Sequence, residues 1–410
     1  MTRAIIAMPT QRGSVQSPQT DRELPRTRGR MHKFLVPEVI FGVGSLCEVG
    51  NVLRRIGAAR PLLVTDPGVR AAGWIDRAIP YLDYCGLDVA VWDGVTSNPK
   101  DFEIFDGLER FSEFEADALL AIGGGSCIDA AKAIAILGTN GGAILDYEGV
   151  DRVVQPIPPM VMVPSTGGTG ADVSQFCVIS DTSRLVKVTI GGRALVPDVS
   201  ITDPYLLTTM SHDISAYTAL DALVHAIEAY VSKGADFLSD GYAISAMKGI
   251  TQNLLASLED PNDLVAKEGI ARASLQAGLA FSNALLGATH AISHQIGGFL
   301  DLHHGLLNAI LLPHVIRFNG ATHPSRYLDV AEAIGVVVDW SSPQCTVELL
   351  AERVELIAAE VGVPSGLSAV GVKLEHLASF AENALRDVYI TTNPRPLTAS
   401  DVCDICIAAL

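Results

Sequence analysis

The sequence predicts an α/β domain built on a parallel sheet, followed by an all-α domain. Two observations carry this. Residues 34–203 alternate short β-rich apolar runs with helical patterns, and four or five apolar residues in a row are what a strand buried on both faces requires. After Asp203-Pro204 nearly every pattern repeats with helical period. The expected organisation is an N-terminal extension over residues 1–33, an α/β domain over 34–210 and an all-helical domain over 211–410.

At 410 residues the chain exceeds what one hydrophobic core commonly organises, which agrees with two domains. Hydrophobic residues make up 49% and charged residues 18%, so much surface should be hidden, part of it in a homodimer or larger homo-oligomer. Every apolar run is interrupted before the length of a membrane span, and no membrane partner is expected. A formal net charge of −17 argues against nucleic acid, whose binding needs a basic patch to displace counterions. Any anionic cofactor must then be held by local devices.

Seven cysteines, an odd number scattered along the chain, do not form a disulfide framework and suit a reducing cytoplasm. Cys403 and Cys406 make a C-x-x-C without a second pair, and read as packed thiols. Residues 1–30 carry six arginines and two acids with little apolar periodicity, so residues 1–33 read as a disordered extension. That composition also resembles an organelle transit peptide, but it lacks a clear amphipathic helix, and an upstream extension before Met31 is the preferred reading.

In chain order, Phe41-Gly42-Val43-Gly44 reads as a turn after a first strand. Residues 62–65, 89–92, 118–122 and 160–163 are the continuous apolar runs of buried strands. Asp66 ends the first of these. It suits a ribose hydroxyl and would repel a 2′-phosphate; an Asx turn before Pro67 is the structural alternative. Gly123-Gly124-Gly125-Ser126 follows a strand and precedes a helical run containing Asp129 and Lys132. Glycines let backbone amides approach an anion, and a helix start adds its positive end, so a pyrophosphate fits there. The spacing is not the G-x-G-x-x-G fingerprint. A second polar loop, residues 164–172, brings Ser165, Thr166 and Thr169 to a strand's carboxyl end, where hydroxyls can hold phosphate and ribose oxygens. Lys187 stands in a β-like run, as a solvated edge residue or a ligand contact.

In the second half, Ser211 can cap a helix running through Tyr217, Leu220, Leu223, Val224 and Ile227. Breaks are expected at Pro261, Gly297-Gly298, Pro313, Gly362-Val363-Pro364 and Asn393-Pro394. Residues 287–314 hold five of the ten histidines in a mostly apolar run, and buried polar groups so dense need partners. His290 and His294 share a helix face. His304 would lie about 21 Å from His290 along one straight helix. If the chain turns at Gly297-Gly298, the two can converge on one point. Asp221 and His225, one helical turn apart in another apolar stretch, complete an Asp-His-His-His set suited to a divalent cation; a buried Asp-His hydrogen bond is the alternative.

Taken together, several motifs resemble the iron-containing (group III) alcohol dehydrogenase family across residues 34–408. They are Gly-Gly-Gly-Ser at 123–126 with Asp129 and Lys132, Pro-Ser-Thr-Gly-Gly-Thr-Gly at 164–170, Asp203-Pro204, Asp221-x-x-x-His225-Ala-Ile-Glu, His290-x-x-x-His294, and His304-Gly-x-x-Asn308-Ala-x-x-Leu-Pro313-His314. The resemblance implies a Rossmann-like dinucleotide-binding half and a helical metal-binding half, the architecture shared with dehydroquinate synthase, with the site in the cleft between them. It implies metal ligation by Asp221, His225, His290 and His304, and places His294 beside nicotinamide and substrate as the candidate catalytic residue. For NAD it implies Asp66, Asn98, Gly123, Gly124, Gly125, Ser126, Asp129, Ser165, Thr166, Thr169 and Lys187, with Phe281 as the aromatic near the nicotinamide. Three features depart from the pattern: Ser165 and Asp172 stand where many relatives have Thr and Glu, His303 adjoins His304, and the N-terminal extension has no counterpart.

The implied reaction is hydride transfer between a small primary alcohol or diol, or the matching aldehyde, and NAD. The ligand types suit Fe²⁺, Zn²⁺ or another divalent ion, and iron rests on the resemblance. A hydroxyacid–oxoacid transhydrogenase or 4-hydroxybutyrate-type dehydrogenase is the nearest alternative. A metal-dependent lyase like dehydroquinate synthase is the alternative from another reaction class.

Overall fold

The apolar runs at 62–65, 118–122 and 160–163 become strands whose side chains alternate between two buried faces. In the computed structural model, which describes residues 33–410, Leu62 and Val64, Leu119 and Ala121, and Met160 and Met162 face one side of a sheet. Leu63, Leu120, Ile122, Val161 and Val163 face the other. Both faces are covered, so each run is apolar throughout. The extension expected over residues 1–33 lies, Lys33 apart, outside the described residues.

Among the described residues there are nine strands: β1 (Glu38–Phe41), β2 (Pro61–Val64), β3 (Ala90–Trp92), β4 (Ala118–Gly123), β5 (Gly149–Val150), β6 (Met160–Pro164), β7 (Phe176–Asp181), β8 (Val186–Gly191) and β9 (Val199–Thr202). Six of them form a sheet in the order β1-β9-β6-β4-β2-β3, parallel at every pairing. β7 and β8 form an antiparallel hairpin, joined by the short β5. Helices α1 (Val49–Arg55), α2 (Pro67–Ala71), α3 (Trp74–Tyr84), α4 (Asp101–Glu113) and α5 (Gly125–Asn140) connect the early strands. The chain steps outward from β2 to β3, then back past β2 to β4. This reversal opens a crevice at the carboxyl ends of β2 and β4, the usual ligand position in such sheets.

The rest of the chain is mostly helical: α6 (His212–Val231), α7 (Phe237–Glu259), α8 (Leu264–Ala284), α9 (Ala288–Leu300), α10 (His304–Gly320), α11 (Ser325–Ala333), α12 (Pro343–Glu360), α13 (Leu377–Ala384) and α14 (Ala399–Ala408). Ser211 caps α6, its hydroxyl accepting from Ile214 N–H at 3.3 Å. α6 is buried along almost its whole length, as a helix apolar all round should be. Among the described residues no helix is long and apolar enough to cross a membrane, and Phe34–Leu410 forms one compact unit.

Two expected breaks are absent. α9 runs through Gly297-Gly298 to Leu300, and α10 runs through Pro313. The glycines serve packing instead: a Cβ at Gly298 would lie 2.6 Å from Val186 backbone, and one at Gly297 would lie 3.3 Å from Lys187 Cε. They let α9 lie directly against β8. The turn that returns the chain toward His290 is residues 301–303, with Asp301 in the left-handed region at φ 52°.

Candidate functional site

The loops at the sheet's carboxyl edge and residues of α6, α8, α9 and α10 line a cavity of about 650 Å³. Asp66, Asn98, Gly124, Gly125, Ser126, Asp129, Ser165, Thr166, Thr169 and Lys187 line it from the sheet side. Asp221, His225, His290, His294 and His304 line it from the helical side, with Phe281 and His303. Gly123 does not line it. That glycine ends β4 beneath the cradle, its carbonyl accepting from Ser165 N–H at 2.9 Å.

On the sheet side the two polar loops nearly touch. A Cβ at Gly125 would lie 2.9 Å from Thr169 Oγ1, and one at Gly124 would lie 3.2 Å from Thr166 Cγ2. Thr166 Oγ1 is buried without a protein partner, an arrangement that asks for a polar ligand. The arrangement would suit a dinucleotide, with an anion at the start of the sixteen-residue α5 and a ribose at Asp66. Lys187 is buried rather than solvated, and its ammonium donates to Asn98 Oδ1 at 2.6 Å. Burial pulls its pKa down to about 8. Burial likewise pushes the Asp129 carboxyl up to about 7. Lys132 does not reach the cavity; its ammonium donates to the carbonyls of Ala171, Ser174 and Phe176, tying α5 to the chain beyond the second loop. Asp172 is also structural, accepting from Ser200 Oγ at 2.6 Å.

On the helical side, one donor atom from each of Asp221, His290 and His304 falls within a group whose members all lie within 4.8 Å of one another. His225 stands beside this group, Nε2 3.9 Å from Asp221 Oδ2 and ring stacked on His290 with centroids 4.6 Å apart. The outward nitrogens are engaged: His290 Nδ1 by Glu228 at 2.6 Å, His304 Nδ1 by Ser293 Oγ at 3.3 Å, and His225 Nδ1 by Gly168 O at 3.3 Å. This leaves the Nε2 atoms for a common ligand. Burial holds His290 and His304 well below the ordinary histidine pKa, which favours the neutral imidazole, whose unprotonated nitrogen accepts. A carboxylate and neutral imidazoles converging where little water reaches make a donor set that fits a divalent ion. Asn308 Nδ2 points at the same set, 2.7 Å from Asp221 Oδ1 and 3.0 Å from both His290 Nε2 and His304 Nε2.

His294 is one turn beyond His290, but its Nδ1 pairs with Asp387 Oδ2 at 2.7 Å. Glu228, Asp387, Asn308 and Tyr389, whose ring centroid lies 5.7 Å from that of His294, carry no role in the sequence reading. Glu228 had a signal, being an acid in an apolar helix three residues after His225. Its carboxylate also caps α9, accepting from Gly287 N–H at 3.1 Å and Thr289 N–H at 2.7 Å. Asp387 and Tyr389 come from a short helical turn far along the chain, and no spacing links them to His294.

Comparison with known proteins meets this geometry at both ends of the chain. The pattern for "Iron-containing alcohol dehydrogenase" matches residues 37–204, and that for "Fe-containing alcohol dehydrogenase family, C-terminal" matches residues 215–410. The chain belongs to the iron-containing alcohol dehydrogenase family. It is 40% identical to a 1,3-propanediol dehydrogenase of Citrobacter freundii over 379 residues, covering 92% of this chain and 98% of that one. It is 38% identical to an NAD-dependent methanol dehydrogenase of Bacillus methanolicus, covering 92% and 99%. A crystal structure of a 1,3-propanediol oxidoreductase superposes with a TM-score of 0.89 at 38% identity, covering 93% of this chain and all of that one. For this iron-containing alcohol dehydrogenase family member, the parallel sheet and helical second half expected from sequence are both present.

Proposed function

We propose that this chain is an NAD-dependent, divalent-metal-dependent alcohol dehydrogenase that interconverts small primary alcohols or diols and their aldehydes. The observation that carries this reading is one cavity joining a Cβ-free cradle at Gly124 and Gly125 to the cluster of Asp221, His290 and His304. Relatives named 1,3-propanediol dehydrogenase and NAD-dependent methanol dehydrogenase support it. On this reading residues 34–210 hold the dinucleotide and residues 211–410 the metal.

Asp221, His225, His290 and His304 would hold the ion, which the family makes iron and which the donor types also allow to be zinc. When bound, the ion supplies Lewis acidity toward the alcohol oxygen, and the nicotinamide supplies the hydride acceptor. Glu228 fixes the His290 tautomer and anchors the start of α9. Asp387 does the same for His294, leaving that ring's Nε2 to take the alcohol proton or pass it outward. Phe281, Leu286 and Tyr389 narrow the cavity with apolar surface, which suits a short chain. Among the described residues Lys187 is the one lysine or arginine that lines the cavity, against the acids Asp66, Asp129 and Asp221. With that cation assigned to the dinucleotide, a neutral alcohol fits the remaining lining better than a hydroxyacid.

The test is purification without oxygen, metal analysis, and NADH formation across primary alcohols, diols and hydroxyacids with NAD and NADP. Turnover confined to hydroxyacids would sink the reading, and so would none with any alcohol. A cytoplasmic location is supported by seven free cysteines. A homodimer or larger assembly is supported by exposed Phe237, Leu238 and Val265 at the starts of α7 and α8, and light scattering checks it.

A further inference from the structure

Cys127 has no part in the mechanism above, yet its side chain meets the residue that would receive the adenosine ribose. It lies in the first turn of α5, is fully buried, and places Sγ 3.2 Å from Asp66 Oδ2. The other carboxylate oxygen, Asp66 Oδ1, accepts from Val69 N–H at 2.9 Å. One bond comes from α2 and the other from α5, so together they restrict rotation of the carboxylate plane, which is otherwise broad for aspartate. The thiol also has its space reserved. A Cβ at Gly123 would fall 2.4 Å from Cys127 Sγ, so only glycine there admits the sulfur in this position.

A cysteine at a helix start ordinarily gains thiolate character. Here burial, followed by the charge of Asp66, pushes the thiol well above its usual range. It therefore stays an S–H donor, and Asp66 meets a hydrogen rather than a second negative charge.

We propose that Cys127 is a positioning residue for cofactor choice: its S–H holds Asp66 Oδ2 so that the remaining lone pairs of the carboxylate face the cavity, accept ribose hydroxyls and repel a 2′-phosphate. The inference rests on the reading of Asp66 as the ribose acceptor. It adds the reason that this carboxylate, at the mouth of a cleft, keeps one orientation. A freely turning aspartate could swing toward solvent and admit the phosphate at small cost.

The experiment compares Cys127→Ala, Cys127→Ser and Asp66→Asn with the parent holoenzyme. Dissociation constants for NADH and NADPH come from fluorescence titration, and kcat/KM is measured with both oxidised cofactors. Because S–H···O bonds are weak, Cys127→Ala should lower the NAD-over-NADP preference by about two- to fivefold. Cys127→Ser, which keeps a donor, should restore it, and Asp66→Asn should lower it further. A role in packing alone would weaken both dinucleotides together and leave their ratio unmoved. Should Cys127→Ala not fold, Cys127→Val removes the donor while filling the space. An unchanged ratio in Cys127→Ala beside a collapsed ratio in Asp66→Asn overturns the proposal and leaves the reading of Asp66 intact. An unchanged ratio in Asp66→Asn overturns both.

Discussion

Replacing Glu228 by glutamine tests whether the cluster is a metal site held by its surroundings. Glu228 is 3% exposed and receives three N–H donors: His290 Nδ1 at 2.6 Å, Gly287 N at 3.1 Å and Thr289 N at 2.7 Å. A carboxylate accepts from all three at once. A carboxamide of the same size has one oxygen, and its NH₂ must face at least one N–H, so the His290 ring turns or a helix-start amide loses its partner. Losing the group that orients a ligating histidine typically costs about 10- to 100-fold in metal affinity, or about 1.4–2.7 kcal/mol. Glu228→Ala goes further and leaves the buried donors unsatisfied, at about 1–3 kcal/mol each where water does not replace the carboxylate. The assay loads each variant with metal anaerobically, adds a coloured chelator in excess and follows release. Release should quicken for Glu228→Gln and more so for Glu228→Ala, with NADH binding to the sheet side little changed. The reasoning is refuted if Glu228→Gln releases metal as slowly as the parent while His290→Ala does not retain it.

Three further outcomes follow from the same geometry. His294→Ala should lower turnover more than metal content, and Asp387→Asn should lower kcat by about tenfold or more through a misoriented His294; the assignment fails if His294→Ala loses metal while His304→Ala keeps it. Lys187, brought to about 8 by burial and faced by Asp221, Asp301, Asp129 and Lys100, carries its charge below that pH and loses it above. NADH binding should therefore weaken as pH rises through about 8, after a smaller loss near pH 7 as Asp129 ionises. Isothermal titration should show the upper step gone in Lys187→Met and the lower one kept. In Gly305→Ala the new Cβ would lie 2.2 Å from Tyr217 O and 3.0 Å from Asp221 Cβ, forcing α10 away from α6. Metal content should fall with a loss of about 1–3 kcal/mol in stability, and a variant with full metal content and unchanged melting would contradict this.

Local chemistry was legible in the sequence wherever neighbours in the chain are also neighbours in space. The strand at residues 118–122, the glycines after it and the helix start at Gly125 all sit within one βα unit, so their spacing alone gives the strand–turn–helix on which the proposed cradle rests. Asp221 and His225 were legible for the same reason, being one turn apart on α6. The convergence of His290 and His304 was anticipated, but the mechanism was misplaced. Glycine in a sequence reads as a helix breaker, whereas a helix pressed on a strand uses it for clearance, and the turn depends on Asp301 in a left-handed conformation that a short polar side chain tolerates. Asp387 was invisible because it reaches His294 across 93 residues of sequence. Lys187 could not be resolved from its own strand, since its burial comes from α9 lying over β8.

That packing explains how ligands from different elements can be held to a common point. α6, which carries Asp221 and His225, meets its neighbours at two positions where only glycine fits. Gly168 of the second polar loop would place a Cβ 2.3 Å from Thr218 O, and Gly305 of α10 would place one 2.2 Å from Tyr217 O. Backbone rests on backbone at both contacts, one residue apart along α6, so no flexible side chain intervenes between the loop, α6 and α10. Across the cleft, Asn98 Nδ2 donates to Asp301 Oδ1 at 2.8 Å and to Leu302 O at 3.3 Å. These are the residues that lead into His304. The loop beside the proposed cofactor cradle thus grips the turn that delivers a proposed metal ligand. A catalytic constellation needs its groups held within a fraction of an ångström, and here the holding is done by the seams between elements as much as by the ligands.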